Sequence, residues 1–236
     1  MTIAHALAGK TETAAFAFVA GYVDVIGFMA LAGLFTAHVT GNLIMIGIES
    51  AGNAEGLLLK VLALPVFVVA VASVRLAEKG LIRHGRNPIV PLIGVESLFL
   101  ALFTAVGLAM QATGAGALSH LGMAAGLLAV TAMAVQNALS RTSLAELGPT
   151  TIMTGNTTQV VIDVVDLFSA TPDARPAIRA RLAKMAPSVL SFSIGAILGA
   201  TLFTRAGYLA VILPIAVLVS ICVRRAQSGV EATMQR

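Results

Sequence analysis

Six long apolar stretches, separated by short basic loops, constrain the fold of this chain more than its other features do. Each is near the roughly 20 residues that an α-helix needs to cross a bilayer. Only 11% of the residues are charged, whereas soluble domains carry about 25%. The sequence therefore predicts an all-α, polytopic membrane protein with six transmembrane helices, folded as a single membrane domain over residues 1–236. The stretches lie at about residues 14–32, 56–76, 88–110, 118–139, 187–203 and 207–223.

A Thr-Gly-Asn tripeptide occurs twice, and each copy opens a short apolar segment that ends near an acid. One constant offset relates residues 40–42 to residues 154–156 and also relates Glu49 to Asp163. Repeats built around discontinuous helices are a common way of forming a membrane transport site. We therefore predict two repeats, at residues 14–111 and 117–223, with re-entrant or broken elements at residues 36–49 and 150–168.

The distribution of basic residues predicts how these repeats lie in the membrane. If both elements are re-entrant and both termini are cytoplasmic, the loops 75–86 and 175–184, Arg141 and the pair 224–225 all lie inside, as the positive-inside rule requires. Each half then makes three crossings, so the halves form an inverted repeat. The first element would span roughly 20 Å as a helix and is too short to cross, whereas the second could cross alone. The expected location is the bacterial inner membrane.

Several function classes have no support in the sequence. The single Cys222 excludes an intramolecular disulfide and a thiolate metal cluster. The four histidines are too far apart for a local metal signature, and no nucleophile elbow or phosphate loop is present. The positive charge belongs to inter-helix loops, which argues against nucleic acid as a partner. We expect no enzyme activity, cofactor or metal, and we expect a lipid bilayer and a small-molecule solute as partners.

The two tripeptides are predicted to line the solute site. A helix that begins inside a bilayer must direct its free N–H groups toward protein or a wet cavity, and its positive end favours an anion or a carbonyl group. A capped tight turn without a ligand is the alternative reading of either copy alone. The predicted solute-binding residues are Thr40, Gly41, Asn42, Asn137, Thr154, Gly155, Asn156 and Gln159.

Three acids in apolar surroundings are candidates for proton coupling: Asp24, Glu96 and Asp163. Burial disfavours a charged carboxylate, which suits an acid that loads and releases a proton. For the first two, a neutral acid hydrogen-bonded to a neighbouring helix is the alternative. Glu49 is either a buried residue of the same kind or a solvated residue at the end of its element. His38 could titrate near neutral pH, but we favour a capping or interfacial role.

A stripe of small residues, Ser191, Gly195 and Gly199, marks a face for close helix packing within the chain or across a dimer. Internal packing is the reading that we favour. A chain of 236 residues is small for an alternating-access transporter, which makes a homodimer compatible with the sequence.

The blocks at residues 21–24, 40–42, 136–137 and 154–156 resemble the YoaK family of multi-pass bacterial inner-membrane proteins, over nearly the whole chain. The resemblance implies a location and a six-helix plan, but no settled activity or substrate. The residues themselves lead to the functional expectation, which is secondary transport of a small polar or anionic solute with protons as the coupling ion. A channel of the same architecture and a non-transporting membrane scaffold or sensor are the alternatives.

Overall fold

The computed structural model describes residues 3–52, 54–148, 150–151 and 153–234, and within them the side chains of residues 11–227. All regular secondary structure in these ranges is helical, which confirms the predicted all-α fold class. Two 3-10 turns, Ala145–Leu147 and Gly207–Val211, accompany the α-helices. The helices are α1 (Ile3–Ala30), α2 (Gly41–Ala51), α3 (Leu57–Arg83), α4 (Ile89–Thr113), α5 (His120–Arg141), α6 (Met153–Ser169), α7 (Arg175–Ala206) and α8 (Ile212–Met234).

Five helical segments of the described residues are long and apolar enough to cross a membrane. Four belong to α1, α3, α4 and α5. The fifth, Arg175–Gln227, is 53 residues long and includes α7, a 3-10 turn and much of α8, so it contains two of the six predicted stretches. Helices α2 and α6 are shorter, with 11 and 17 residues. The chain is thus a helical protein of the membrane type.

The first Thr-Gly-Asn element forms its helix later than the sequence predicts. Helix α2 starts at Gly41, whereas the predicted element starts at Thr36. The chain first turns at Ala32, whose φ is +51°. The backbone N–H groups of Thr36 and Ala37 then donate to Asp24 of α1, at 2.7 and 2.8 Å. These N–H groups thus bond to a side chain, and residues 36–40 form bends and turns before the helix begins.

The two halves of the chain make matching helix contacts. Helix α1 packs along α7 and against α8, while α5 packs along α3 and against α4. In the same way, α2 packs on α3 and α6 packs on α7. Helices that occupy the same place in the order of each half therefore have corresponding neighbours.

Hydrogen bonds between helix ends show which loops lie together. Arg225 of α8 binds Glu12 near the start of α1, and Glu78 near the end of α3 accepts the N–H group of Ser143 after α5, at 3.0 Å. At the other end of the molecule, the turn between α7 and α8 meets the end of α4. We call the end that contains the Glu12–Arg225 and Glu78–Ser143 contacts the basic end. Most of the cations lie there: Arg75, Lys79, Arg83, Arg86, Arg141, Arg175, Arg179, Arg181, Lys184, Arg224 and Arg225.

Glycines bring α1 and α7 into backbone contact. A Cβ on Gly195 would lie 2.2 Å from the carbonyl oxygen of Phe18, and one on Gly21 would lie 2.2 Å from that of Phe192. A Cβ on Gly199 would be 2.7 Å from a carbonyl oxygen of α1. The small-residue stripe of α7 therefore serves packing within the chain, and it fixes α7 beside α1 along the same direction.

We expect Gly195→Ala to lower the free energy of unfolding by about 1–3 kcal/mol, the usual cost of overpacking. The added methyl group meets backbone, which cannot move aside as a flexible side chain would. Gly94→Ala on α4 is the matched control, because a Cβ there meets nothing within 4 Å. Thermal unfolding in detergent measures both variants, and equal melting temperatures would contradict the close contact.

Candidate functional site

Asp24 holds the first helix break through its carboxylate. Oδ1 of Asp24 accepts from the two N–H groups described above, and it also lies 3.4 Å from the N–H group of His38. Its Oδ2 lies 2.8 Å from Nδ1 of the His38 ring. Successive backbone N–H groups aimed at one anion form a nest, and this nest replaces the hydrogen bonds that a continuous helix would make. Asp24 itself is buried.

Within the first tripeptide, Gly41 and Asn42 shape the break. Oδ1 of Asn42 accepts from the N–H group of Phe35 at 2.9 Å, and its Nδ2 donates to the carbonyl oxygen of the same residue at 2.8 Å. A Cβ on Gly41 would lie 2.8 Å from the Phe35 ring. Thr40 is exposed and makes no side-chain cap. Thr40 is therefore the exposed residue of this tripeptide, whereas Asn42 is buried.

The first N–H groups of α2 are not free for a ligand. Those of Gly41, Asn42 and Leu43 donate to carbonyl oxygens of the three residues that begin at His38, at 2.7–3.2 Å. The structure therefore does not show the predicted arrangement, in which free N–H groups of this helix face a solute. In this conformation only the side chains around the break could make such a contact.

The second break is held by two neighbouring amides of α5. Gln136 donates to Oγ1 of Thr150 at 3.2 Å, and Oδ1 of Asn137 accepts from Oγ1 of Thr151 at 2.7 Å. Both threonines are buried. The helix of this element starts at residue 153, and residues 149 and 152 lie outside the described residues. Of the second tripeptide, residues 154 and 155 are exposed and Asn156 is buried.

Asn137 joins the two breaks. Its Nδ2 donates to the carbonyl oxygen of Ala37 at 3.3 Å, while its Oδ1 accepts from Thr151. Segments that are far apart in the sequence therefore share one side chain. Asn137 and His38 are each partly exposed, whereas their break partners are buried. We call this cluster the junction; it consists of Asp24, Thr36, Ala37, His38, Gln136, Asn137, Thr150 and Thr151.

An acid–base pair fixes the far part of α2. Glu49 is buried, which settles the choice left open by the sequence, and it binds Nζ of Lys60 at 2.5 Å. The fully buried Lys60 also donates to the carbonyl oxygen of Ala32. It therefore ties the start of α3 to α2 and to the turn after α1.

A corresponding pair fixes α6. Asp163 is buried and binds the guanidinium of Arg181 on α7 at 2.7 Å, and Gln159 donates to the same carboxylate at 3.0 Å. The hydrogen bond from Arg181 holds the pKa of Asp163 below its ordinary value. Gln159 and Asp163 thus belong to a network that connects α6 to α7, which favours a structural role for both over solute binding or proton exchange. We call this ion pair and the Glu49–Lys60 pair the acid–base locks.

The third candidate acid, Glu96, is fully buried on α4, and neither of its carboxylate oxygens has a hydrogen-bond partner among the described residues. Gln136 of the junction also has an unpartnered buried atom, Oε1. Glu96 lies on the face of α4 that packs against other helices, and no described contact connects it to the junction.

Two cavities lie away from the junction. One, of about 520 Å³, is a groove between α3, α4 and α5 with an almost wholly apolar lining that includes Val69, Val95 and Phe99. The other, of about 460 Å³, lies beside the start of α3 near Glu55 and Leu118. No group of three or more His, Cys, Asp or Glu residues in the described part of the chain is placed to hold a metal ion.

Of the predicted site residues, Asp24 and Asn137 belong to the junction. The sequence favours a capping or interfacial role for His38, and it does not connect Lys60 or Arg181 to the acids that they bind. The sequence did contain a signal for these ion pairs. Glu49 and Asp163, which are related by the constant offset, are each followed by a cation early in the next long helix.

We expect Asp24→Ala to destabilise the protein by about 1–3 kcal/mol for each of the two buried N–H groups that it leaves unpaired. Asp24→Asn should cost less, because an amide oxygen can still accept from both. Thr201→Ala is the control, since this exposed hydroxyl bonds only its own helix. Denaturant unfolding in detergent gives the comparison, and an Asp24→Ala variant as stable as the control would show that the carboxylate does not hold the break.

We expect Lys60→Met to cost about 3–5 kcal/mol, because it leaves the Glu49 carboxylate buried without its cation. Adding Glu49→Leu should recover much of this loss, since an apolar pair of similar volume replaces a buried ion pair at little cost. The same unfolding measurement decides, and equal stabilities of the single and double variants would mean that the two side chains are not coupled.

Comparison with known proteins places the chain in a family. A family profile described as "Protein of unknown function (DUF1275)" matches residues 13–224, a range that includes both breaks and all junction residues. The resemblance to the YoaK family is consistent with this match. Comparisons with curated proteins and with solved structures found no match. The chain therefore belongs to the DUF1275 family.

Proposed function

We propose that this protein is a secondary transporter of a small polar or anionic solute, and that the solute binds at the junction. One observation carries the proposal, which is that Asn137 hydrogen-bonds both helix breaks at once. Irregular backbone inside a membrane is tolerated where it is buried in protein or lines a wet cavity. In transporters, such breaks meet at the substrate site between repeats.

The topology that supports this proposal has six crossings. As one helix, the segment Arg175–Gln227 would be about 80 Å long, against a hydrocarbon thickness of about 30 Å. The chain turns at Gly207, which has a positive φ of 56°. After the turn, Tyr22 of α1 binds Ala210 and Glu12 binds Arg225, so α8 runs back along α1. We therefore count α7 and α8 as separate crossings.

Helices α2 and α6 are the re-entrant elements of the proposed inverted repeat. Both begin beside the junction, but they end on opposite sides of it. Glu49 of α2 meets the start of α3, away from the basic end, whereas Asp163 of α6 meets Arg181 at the basic end. With the basic end in the cytoplasm, as the positive-inside rule favours, both termini are cytoplasmic in a bacterial inner membrane.

The side chains that are exposed near the breaks are a subset of those predicted. Thr40 and Thr154 are exposed and lie within a few residues of the breaks, and Asn137 is partly exposed. The amide group of Asn42 is hydrogen-bonded to the backbone of Phe35, and that of Gln159 donates to the carboxylate of Asp163. The amide of Asn137 is engaged by Ala37, Met133 and Thr151. We therefore assign solute contact to the hydroxyl groups of Thr40 and Thr154, and we give Asn137 the role of holding the two breaks together. The homodimer stays a prediction, which a mass measurement in detergent tests.

The experiment is solute counterflow in proteoliposomes, with radiolabelled small carboxylates, amino acids and inorganic anions as probes. We expect Asn137→Ala to slow counterflow of the active probe by about tenfold or more, since tenfold corresponds to about 1.4 kcal/mol, the scale of one hydrogen bond. Ser193→Ala, an exposed hydroxyl bonded to its own helix, should leave the rate unchanged.

Each rival reading gives a different result in this assay. A channel passes a probe down its gradient without counterflow, and a scaffold or sensor transports none of the probes. Counterflow that is equal in the Asn137→Ala and wild-type proteins would place the solute site elsewhere.

A further inference from the structure

The Asp24–His38 pair has one buried end and one accessible end. The Asp24 side chain is 7% exposed, whereas the His38 side chain is 30% exposed. The imidazole packs edge-on against Phe192 of α7, with ring centroids 5.2 Å apart. Its Nδ1 faces the carboxylate, and no described contact occupies Nε2. Access to the acid therefore runs through the imidazole.

Asp24 is poorly placed to exchange a proton itself. Its Oδ1 already accepts from the backbone N–H groups of Thr36 and Ala37. Its Oδ2 faces Nδ1 of His38 at 2.8 Å. A proton on Oδ1 would displace a hydrogen bond that holds the break, and a proton on Oδ2 would take the place of the Nδ1–H donor of His38. The carboxylate instead fixes the ring with its proton on Nδ1, which leaves a lone pair on Nε2.

We propose that His38 takes up and releases the coupled proton at Nε2, and that Asp24 is the positioning residue that fixes its tautomer. This inference rests on the proposed transport function. A hydronium ion on one side gives its proton to Nε2: one of its O–H bonds breaks as the N–H bond forms, leaving water and an imidazolium. On the other side the N–H bond breaks, a water molecule takes the proton to become hydronium, and the neutral ring is restored.

The charge of the pair then selects the solute. With a neutral ring the pair carries one negative charge, which repels an anion. With a protonated ring the pair is neutral and offers an Nε2–H donor at the junction. Among the contacts described for the ring, Asp24 from α1 is the one charged group, because α7 contributes Phe192 and α5 contributes the uncharged Asn137 to the same break. The solute class is therefore a small monovalent anion that moves together with one proton.

The tautomer is tested by nitrogen NMR of histidine-labelled protein in nanodiscs. The His38 signals are identified by their loss in His38→Gln, and His84 and His120, both exposed, serve as internal references. We expect a protonated Nδ1 and a bare Nε2 at alkaline pH, with a proton added at Nε2 on acidification. Asp24→Asn should reverse the tautomer, because the Asn amide group would donate to Nδ1. An Nε2–H tautomer in the wild-type protein, or no change in Asp24→Asn, would overturn the assignment.

The coupling is tested with a pH gradient, using formate, nitrate and chloride as probes in the same proteoliposomes. We expect wild-type protein to accumulate its anion on the alkaline side. His38→Gln should lose accumulation and should also slow counterflow, because the pair then keeps its negative charge, while His120→Gln should keep both. Accumulation by His38→Gln equal to that of the wild type would overturn the inference. Absence of counterflow in the wild type would instead contradict the transport proposal, and the NMR result distinguishes the two failures.

Discussion

The hydrogen bonds from the first break to the Asp24 carboxylate are the interaction on which the rest of the site depends. A bilayer supplies no water to an interrupted helix, so the free N–H groups of Thr36 and Ala37 need an acceptor within the protein. Asp24 supplies it from α1. With the break fixed in this way, the carbonyl group of Ala37 is held where Asn137 reaches it. The two breaks therefore meet because a single buried anion organises the first of them.

The second half meets the same requirement with different chemistry. Where the first half uses a carboxylate, α5 carries the neighbouring amides Gln136 and Asn137. A carboxylate only accepts hydrogen bonds, whereas an amide both donates and accepts. Asn137 can therefore bind the carbonyl oxygen of Ala37 and the hydroxyl group of Thr151 at the same time. The difference between the halves explains why one residue of the second half joins both breaks, while Asp24 serves only its own break and the ring beside it.

The all-helical fold and the approximate places of the breaks could be predicted from the sequence, because apolar length and a repeated tripeptide report them directly. The partners could not. Asn42 was expected to face a solute, but its amide binds the backbone of Phe35, a contact that depends on how the preceding loop folds back. Lys60 and Arg181 meet their acids across different helices, at sequence separations of 11 and 18 residues, so one fixed spacing does not identify the pairs. The start of α2 at Gly41 likewise depends on Asp24, a residue of another helix.

The two acid–base locks differ in how far water and ions reach them. The Lys60 side chain is fully buried, whereas that of Arg181 is 46% exposed. Dissolved salt weakens attractions between exposed charges over about 8 Å at physiological ionic strength, but buried pairs are screened much less. We therefore expect dissolved salt to loosen the contact between α6 and α7 more than the contact between α2 and α3, so that α6 is the short helix whose attachment depends on its ionic surroundings.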